Sequence, residues 1–133
     1  MNTDDNKKFS ILAIDDTPMQ LKILTQMLSP LYDVRVATSG EKGIKLAQKH
    51  HIDLIFLDII MEDMSGFEVL EQLKSSSKTA SIPVVFTTSM EKDTAESEIK
   101  NLAGEAVDYI TKPFEKEVVL HMVGLHTKSP NET

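Results

Sequence analysis

Short apolar runs alternate with longer stretches of helical periodicity along the 133 residues. Phe9-Ser10-Ile11-Leu12-Ala13-Ile14 reads as a strand that stops abruptly at Asp15 and Asp16. Thr17-Pro18-Met19-Gln20 fits a helix start, with Thr17 as N-cap, Pro18 at the first helical position and Gln20 closing a capping box. Leu21, Leu24 and Leu28 keep helical spacing until Ser29-Pro30 ends the run. The cycle then repeats. Asp33-Val34-Arg35-Val36-Ala37 alternates as an edge strand does, and Thr38-Ser39-Gly40-Glu41 leads into a helix ending near His50. Leu54-Ile55-Phe56-Leu57 is apolar throughout, as a strand covered on both faces must be. Ser65-Gly66-Phe67-Glu68 is a second capping-box match, with Phe67, Leu70 and Leu73 as its inward stripe, and Ser75-Ser76-Ser77 is a polar loop. Pro83-Val84-Val85-Phe86-Thr87 is a fourth strand, and Ala95, Ile99 and Leu102 mark a fourth helix. Tyr109-Ile110-Thr111 gives a short fifth strand, and Val118, Val119, Met122 and Val123 a fifth helix after Pro113.

Five alternations of strand and helix predict an α/β fold, a parallel sheet with helices on both faces. No repeat of fixed period suggests a solenoid. Size agrees with one domain: a flexible segment over 1–8, a globular unit over 9–126 and a flexible polar tail over 127–133. Cysteine is absent, which excludes a disulfide framework, thiolate catalysis and a Cys-ligated zinc site. The 14 Lys and Arg against 21 Asp and Glu leave a net charge of −7, and no stretch gathers the basic residues into a stripe. Direct nucleic-acid binding is therefore not expected. The apolar runs are far shorter than the roughly 20 residues that span a bilayer, and the polar start cannot serve as a secretory signal. The expectation is a cytoplasmic protein with no membrane segment.

In such sheets the chemistry lies beyond the carboxyl ends of the strands, where strand order switches. Strand one ends in Asp15-Asp16, strand three in Asp58, strand four in Thr87-Thr88-Ser89, and strand five runs into Lys112-Pro113. Three carboxylates brought to one edge repel one another unless a cation intervenes, and hard oxygen ligands suit Mg²⁺, with Mn²⁺ able to substitute. An adjacent ammonium and hydroxyl are what a phosphoryl group needs on its oxygens, and a carboxylate beside a divalent cation can be the nucleophile that receives it. Taken singly these residues have plainer readings. Asp15-Asp16 could cap a helix, Thr88 could be an ordinary strand threonine, Lys112 a solvated lysine and Tyr109 a half-buried packing residue. The four histidines, His50, His51, His121 and His126, lack ligand spacing and are expected to be exposed.

With these pieces in order, the sequence resembles a receiver domain of the two-component response-regulator family over about Phe9 to Leu125. The match rests on Ile14-Asp15-Asp16, on Leu57-Asp58-Ile59-Ile60-Met61 with Gly66 following, on Val84-Val85-Phe86-Thr87-Thr88-Ser89, and on Asp108-Tyr109-Ile110-Thr111-Lys112-Pro113-Phe114. The resemblance implies a doubly wound, flavodoxin-like, five-stranded parallel sheet of order 2-1-3-4-5 with five helices. It implies Asp58 as phosphoacceptor from a histidine kinase or histidine phosphotransfer protein. Asp15, Asp16, Asp58 and the Ile60 backbone carbonyl would hold Mg²⁺, Thr88 and Lys112 would contact the phosphoryl oxygens, and Thr88 with Tyr109 would form the switch. The Lys112-Pro113 bond would be cis. The fourth helix, fifth strand and fifth helix would be the face that changes, open to an output domain, a target protein or a second copy. No turnover of a separate substrate is implied, and the chain would be a stand-alone receiver or a piece cut before an output domain.

Three departures stand out. Glu62 follows Met61 where the family usually has Pro, which implies a looser loop. Gly104-Glu105 displaces the usual Gly, and Thr87 beside Thr88 leaves two hydroxyls, of which the spacing from Pro83 selects Thr88. Rival readings are an Mg²⁺-dependent phosphohydrolase with an aspartyl nucleophile, a flavin-binding module, and a degenerate receiver used only for docking. The first would set a second acid two residues after a strand-one nucleophile, and the second would need a phosphate-cradling loop after strand one. Neither pattern is present, and the complete residue set argues against the third.

Overall fold

The computed structural model describes residues 8–103 and 108–127. Ten elements alternate along the chain: β1 (Ser10–Ile14), α1 (Pro18–Leu28), β2 (Asp33–Ala37), α2 (Gly40–Lys49), β3 (Leu54–Asp58), α3 (Gly66–Lys74), β4 (Val84–Thr88), α4 (Lys92–Ala103), β5 (Asp108–Thr111) and α5 (Lys116–Thr127). The strands form one parallel sheet in the order β2-β1-β3-β4-β5, as expected. The expectations for 1–7, for 128–133 and for Gly104-Glu105 lie outside the described residues.

Side-chain alternation divides the core. Leu12, Ile14, Ile55, Leu57 and Phe86 face one side of the sheet and pack with Ile44 and Ala47 of α2, Val69, Leu70 and Leu73 of α3, and Ala95 and Ile99 of α4. Ile11, Ala13, Leu54, Phe56 and Val85 face the other side and pack with Leu21, Leu24 and Leu28 of α1 and Val119 and Val123 of α5. Every residue of β3 and β4 is buried, which is why those segments read as unbroken apolar runs. Burying each large aliphatic or aromatic side chain stabilises the fold by about 1.5–3 kcal/mol.

Local signals resolve unequally. Ser65 accepts from the Glu68 amide while Glu68 returns a bond to the Ser65 amide, so the capping box of α3 forms in full. Ser39 caps α2 by accepting from the Lys42 amide. At α1 the expected box does not form: Thr17 is the N-cap without a side-chain bond, and its own N–H goes to Asp15 Oδ1 at 2.9 Å. The acid two residues back competes for this turn. Phe67 is half-buried, its ring centroid 5.1 Å from that of Phe86, and Val69 takes the deeper place on α3. Leu102 faces outward, contrary to its place in the expected stripe, and so does Val118. α5 extends through buried Thr127, whose hydroxyl donates to the Val123 carbonyl, so the helix outlasts the boundary set at 126.

Candidate functional site

The order β2-β1-β3 means that the chain leaves β1 toward one side and β3 toward the other, opening a crevice at their carboxyl ends. Asp15 and Asp16 enter it from the end of β1 and Asp58 is the last residue of β3. One carboxylate oxygen from each of the three lies within 4.8 Å of the others. Asp15 and Asp58 are buried and Asp16 is half-buried. Lys112, directly after β5, places its ammonium 2.9 Å from Asp15 Oδ2 and 3.4 Å from Asp58 Oδ1. Asp15 Oδ2 takes no hydrogen bond, so the imperfectly aligned ammonium is its compensating neighbour.

Three acids against one ammonium leave the cluster short of positive charge. Burial pushes the Asp58 carboxyl up to about 6, with the charge of Asp15 and more weakly Asp16 adding to the rise and Lys112 opposing it. A divalent cation fits this donor set: hard carboxylate oxygens converge, one of them is buried without a hydrogen bond, and Asp16 remains open to solvent.

The loops around the crevice are fixed by backbone bonds. Gly66 N–H donates to the Ile59 carbonyl at 2.8 Å, and a Cβ at Gly66 would collide with the Asp58 carbonyl oxygen, so only glycine lets α3 approach this closely. Asp16 Oδ2 accepts from the Glu62 amide at 3.0 Å. Asp63 accepts from the amides of Gly40 and Glu41 at 3.3 Å each, which ties the β3–α3 loop to the N-terminus of α2. Burial alone would raise the Asp63 pKa, but these backbone donors outweigh it and the pKa is lowered. The loop expected to be loose is therefore held at two points, and Asp63 is a contributor that the sequence did not reveal. Ile60 is exposed beside it.

Thr87 and Thr88 are both buried at the end of β4. Thr88 Oγ1 accepts from the Met90 amide at 3.0 Å, which leaves its hydrogen available to donate. Tyr109 is half-buried and donates its hydroxyl to Glu96 Oε1 on α4 at 2.9 Å. Desolvation first, and then the Glu96 bond and charge, push the phenol up to about 12. The Lys112-Pro113 bond is cis. Of the histidines, His51 and His121 are exposed, but His50 is half-buried and His126 lies 2.6 Å from Asp108 Oδ2, a partner 18 positions away that no local pattern announces. Among the described residues no helix is long and apolar enough to cross a membrane.

Comparison with known proteins agrees with this geometry. Residues 11–124 match the response regulator receiver domain family. Protein PilH of Pseudomonas aeruginosa is 32% identical over 85% of this chain and 93% of its own length. A probable cyclic di-GMP phosphodiesterase of Vibrio cholerae is 34% identical over 97% of this chain but only 29% of its own length, and a probable transcriptional regulatory protein, TcrX of Mycobacterium tuberculosis, is matched over 53% of its length. The structure of the Vibrio cholerae chemotaxis protein CheY4 superposes with a TM-score of 0.80 at 26% identity, covering 90% of this chain and 98% of that one.

Proposed function

The chain belongs to the response regulator receiver family, and from that premise we propose that Asp58 is its phosphoacceptor, served by Asp15, Asp16, Thr88 and Lys112. The donor is a phosphohistidine on a histidine kinase or phosphotransfer protein. An Asp58 carboxylate oxygen attacks phosphorus, the O–P bond forms as the N–P bond breaks, and the imidazole leaves with the bonding pair and takes a proton from solvent.

Asp15, Asp16, Asp58 and the Ile60 carbonyl would hold Mg²⁺, or Mn²⁺ in its place. When bound, the cation supplies the positive charge that offsets the phosphoryl oxygens and the clustered acids. Lys112, already within 3.4 Å of Asp58, pairs with a second phosphoryl oxygen, and the Thr88 hydroxyl donates to a third. Nothing in this sequence of events turns over a separate diffusible substrate. The readout is a change in the face formed by α4, β5 and α5, with Tyr109 as its aromatic and an output domain, a target or a second copy as its recipient. The reading places the domain in the cytoplasm, where kinases make phosphohistidine from ATP.

One observation carries the proposal: three carboxylates lie within 4.8 Å of one another at the carboxyl edge of the sheet, and two of them pair with one ammonium. Incubation with acetyl phosphate and Mg²⁺ followed by intact mass tests it. A gain of one phosphoryl group is expected, lost with EDTA and absent in Asp58→Asn. Labelling that persists in that variant puts the acceptor elsewhere.

A further inference from the structure

β2 is an edge strand, bonded only to β1 among the described residues. In the ladder between them, Asp33 donates its N–H to Phe9 and Ala37 accepts from Asp15. The alternation of a parallel pair therefore turns the amide and carbonyl of Val34 and Val36 toward the open side. Alongside runs a groove of about 520 Å³, floored by Val36, Ala37 and Leu46 and walled by Lys42, Lys45 and Lys49 of α2. Those lysines share one helical face, and Arg35 stands on the adjoining β2. Arg35 and Lys49 both act on His50, whose pKa is lowered by desolvation first and then by their charges. The row lies within α2 itself, at i, i+3 and i+7, so it is a helical stripe and not a run of adjacent basic residues.

The cluster is available. Glu41 pairs with Lys45 at 3.4 Å, but both side chains are about 70% exposed, so the pair contributes little and is easily exchanged. Among the described residues no ion pair holds Lys42 or Lys49.

We propose that this edge binds an extended acidic segment of a protein partner, paired as an added strand beside β2 with its carboxylates beneath the lysines of α2. Three features select that occupant. The outward backbone groups of Val34 and Val36 need complementary donors and acceptors, which a peptide backbone supplies at the right repeat. The floor is apolar and suits the alternate side chains of a strand. The lysine row is a local positive field on a chain of net charge −7, so an acidic segment is steered here and repelled elsewhere. A nucleic acid matches the lysines but lacks the amide repeat, and its long polyanion meets that same net charge. Asp58 does not line the groove, so the proposal does not rest on the phosphoacceptor assignment.

The probe is a fluorescein-labelled heptapeptide alternating Glu and Val, titrated against the full chain by anisotropy and by amide chemical shifts. Saturable binding is expected, with shifts concentrated between residues 33 and 49. Affinity should drop about tenfold or more in the double variant Lys45→Glu/Lys49→Glu. Both positions are exposed, and an unchanged urea-unfolding midpoint confirms that the variant is folded. N-methylation of alternate peptide amides should abolish binding. The proposal is overturned by no binding, by equal binding of the N-methylated peptide, or by an oligonucleotide of equal charge producing the same shifts with equal affinity.

Discussion

The proposed role asks Asp58 to be a nucleophile where burial and two neighbouring acids disfavour its charge. Its folded pKa of about 6 lies above the ordinary 3.8 because burial and two neighbouring acids disfavour the carboxylate. The sign of the stability effect follows. Below about pH 4 the group is protonated folded or unfolded and imposes no penalty; as pH rises through 6 the folded protein must ionise a group that the unfolded chain ionises more easily, and stability is lost. In EDTA, Asp58→Asn should therefore be more stable than the parent by about 3 kcal/mol at pH 7.5, with the gap narrowing toward pH 4.5. Urea unfolding at the two pH values measures it, and equal gaps would remove burial and charge crowding as the cause. On the proposed reading, the same crevice also sets how long a phosphoryl group would survive. Ile60 and Met90, two residues beyond Asp58 and Thr88, have no side-chain group to orient an attacking water, and the Met90 amide is already committed to Thr88. Slow self-hydrolysis follows. Met90→Glu or Met90→Gln should speed loss of label on the order of tenfold by giving water a partner, and decay unchanged in both would count against this account.

The loop between β3 and α3 carries the Ile60 carbonyl, a proposed cation ligand, so whatever steadies that loop should tune the proposed site. Asp63 does so by accepting from two free amides at the N-terminus of α2. Asp63→Ala should weaken Mg²⁺ binding several-fold and cost about 1 kcal/mol of stability, with Asp63→Asn recovering most of both because its amide oxygen still accepts. Magnesium titration beside urea melts separates the outcomes: stability lost with unchanged affinity would make Asp63 a cap and nothing more. This element also marks the limit of what the chain discloses. The capping box at Ser65–Glu68 was legible because both partners sit within one turn, and β3 because burial on both faces leaves a continuous apolar run. Asp15, Asp16, Asp58 and Lys112 were legible because each abuts a strand end, and a parallel sheet gathers such ends. Asp63 with Gly40 and His126 with Asp108 were not, since contacts across 23 and 18 positions leave no periodic trace. Thr17 misled because Asp15, two residues earlier, outcompetes a capping side chain for the local donor. Strand order was beyond periodicity altogether and came only with the family resemblance.

On the proposed reading, transmission from Asp58 to a partner crosses the sheet through β4 and β5, where Thr88 lies opposite Thr111 and the Lys112 amide donates to the Thr88 carbonyl at 2.8 Å. A shift of Thr88 toward a phosphoryl group therefore pulls on the strand that bears Tyr109. On the far side Tyr109 is held outward by one hydrogen bond to Glu96, at a position open enough that the bond contributes about 0.5–1.5 kcal/mol. That is a bias of roughly two- to tenfold, which charge-assisted bonds at the phosphoryl group can override. Glu96→Ala should remove the bias, moving unphosphorylated protein part of the way toward the phosphorylated state and raising the rate of labelling by acetyl phosphate a few-fold. The chain has two tyrosines and no tryptophan, so 3-fluorotyrosine labelling gives one signal from Tyr109 and one from Tyr32. Tyr32 packs with the α1 and α5 side of the core, away from this path. On phosphorylation the Tyr109 resonance should move while Tyr32 stays, and Glu96→Ala should displace Tyr109 in the same direction before any phosphodonor is added. A Tyr109 signal indifferent to both changes would mean that the face of α4, β5 and α5 is read without its aromatic.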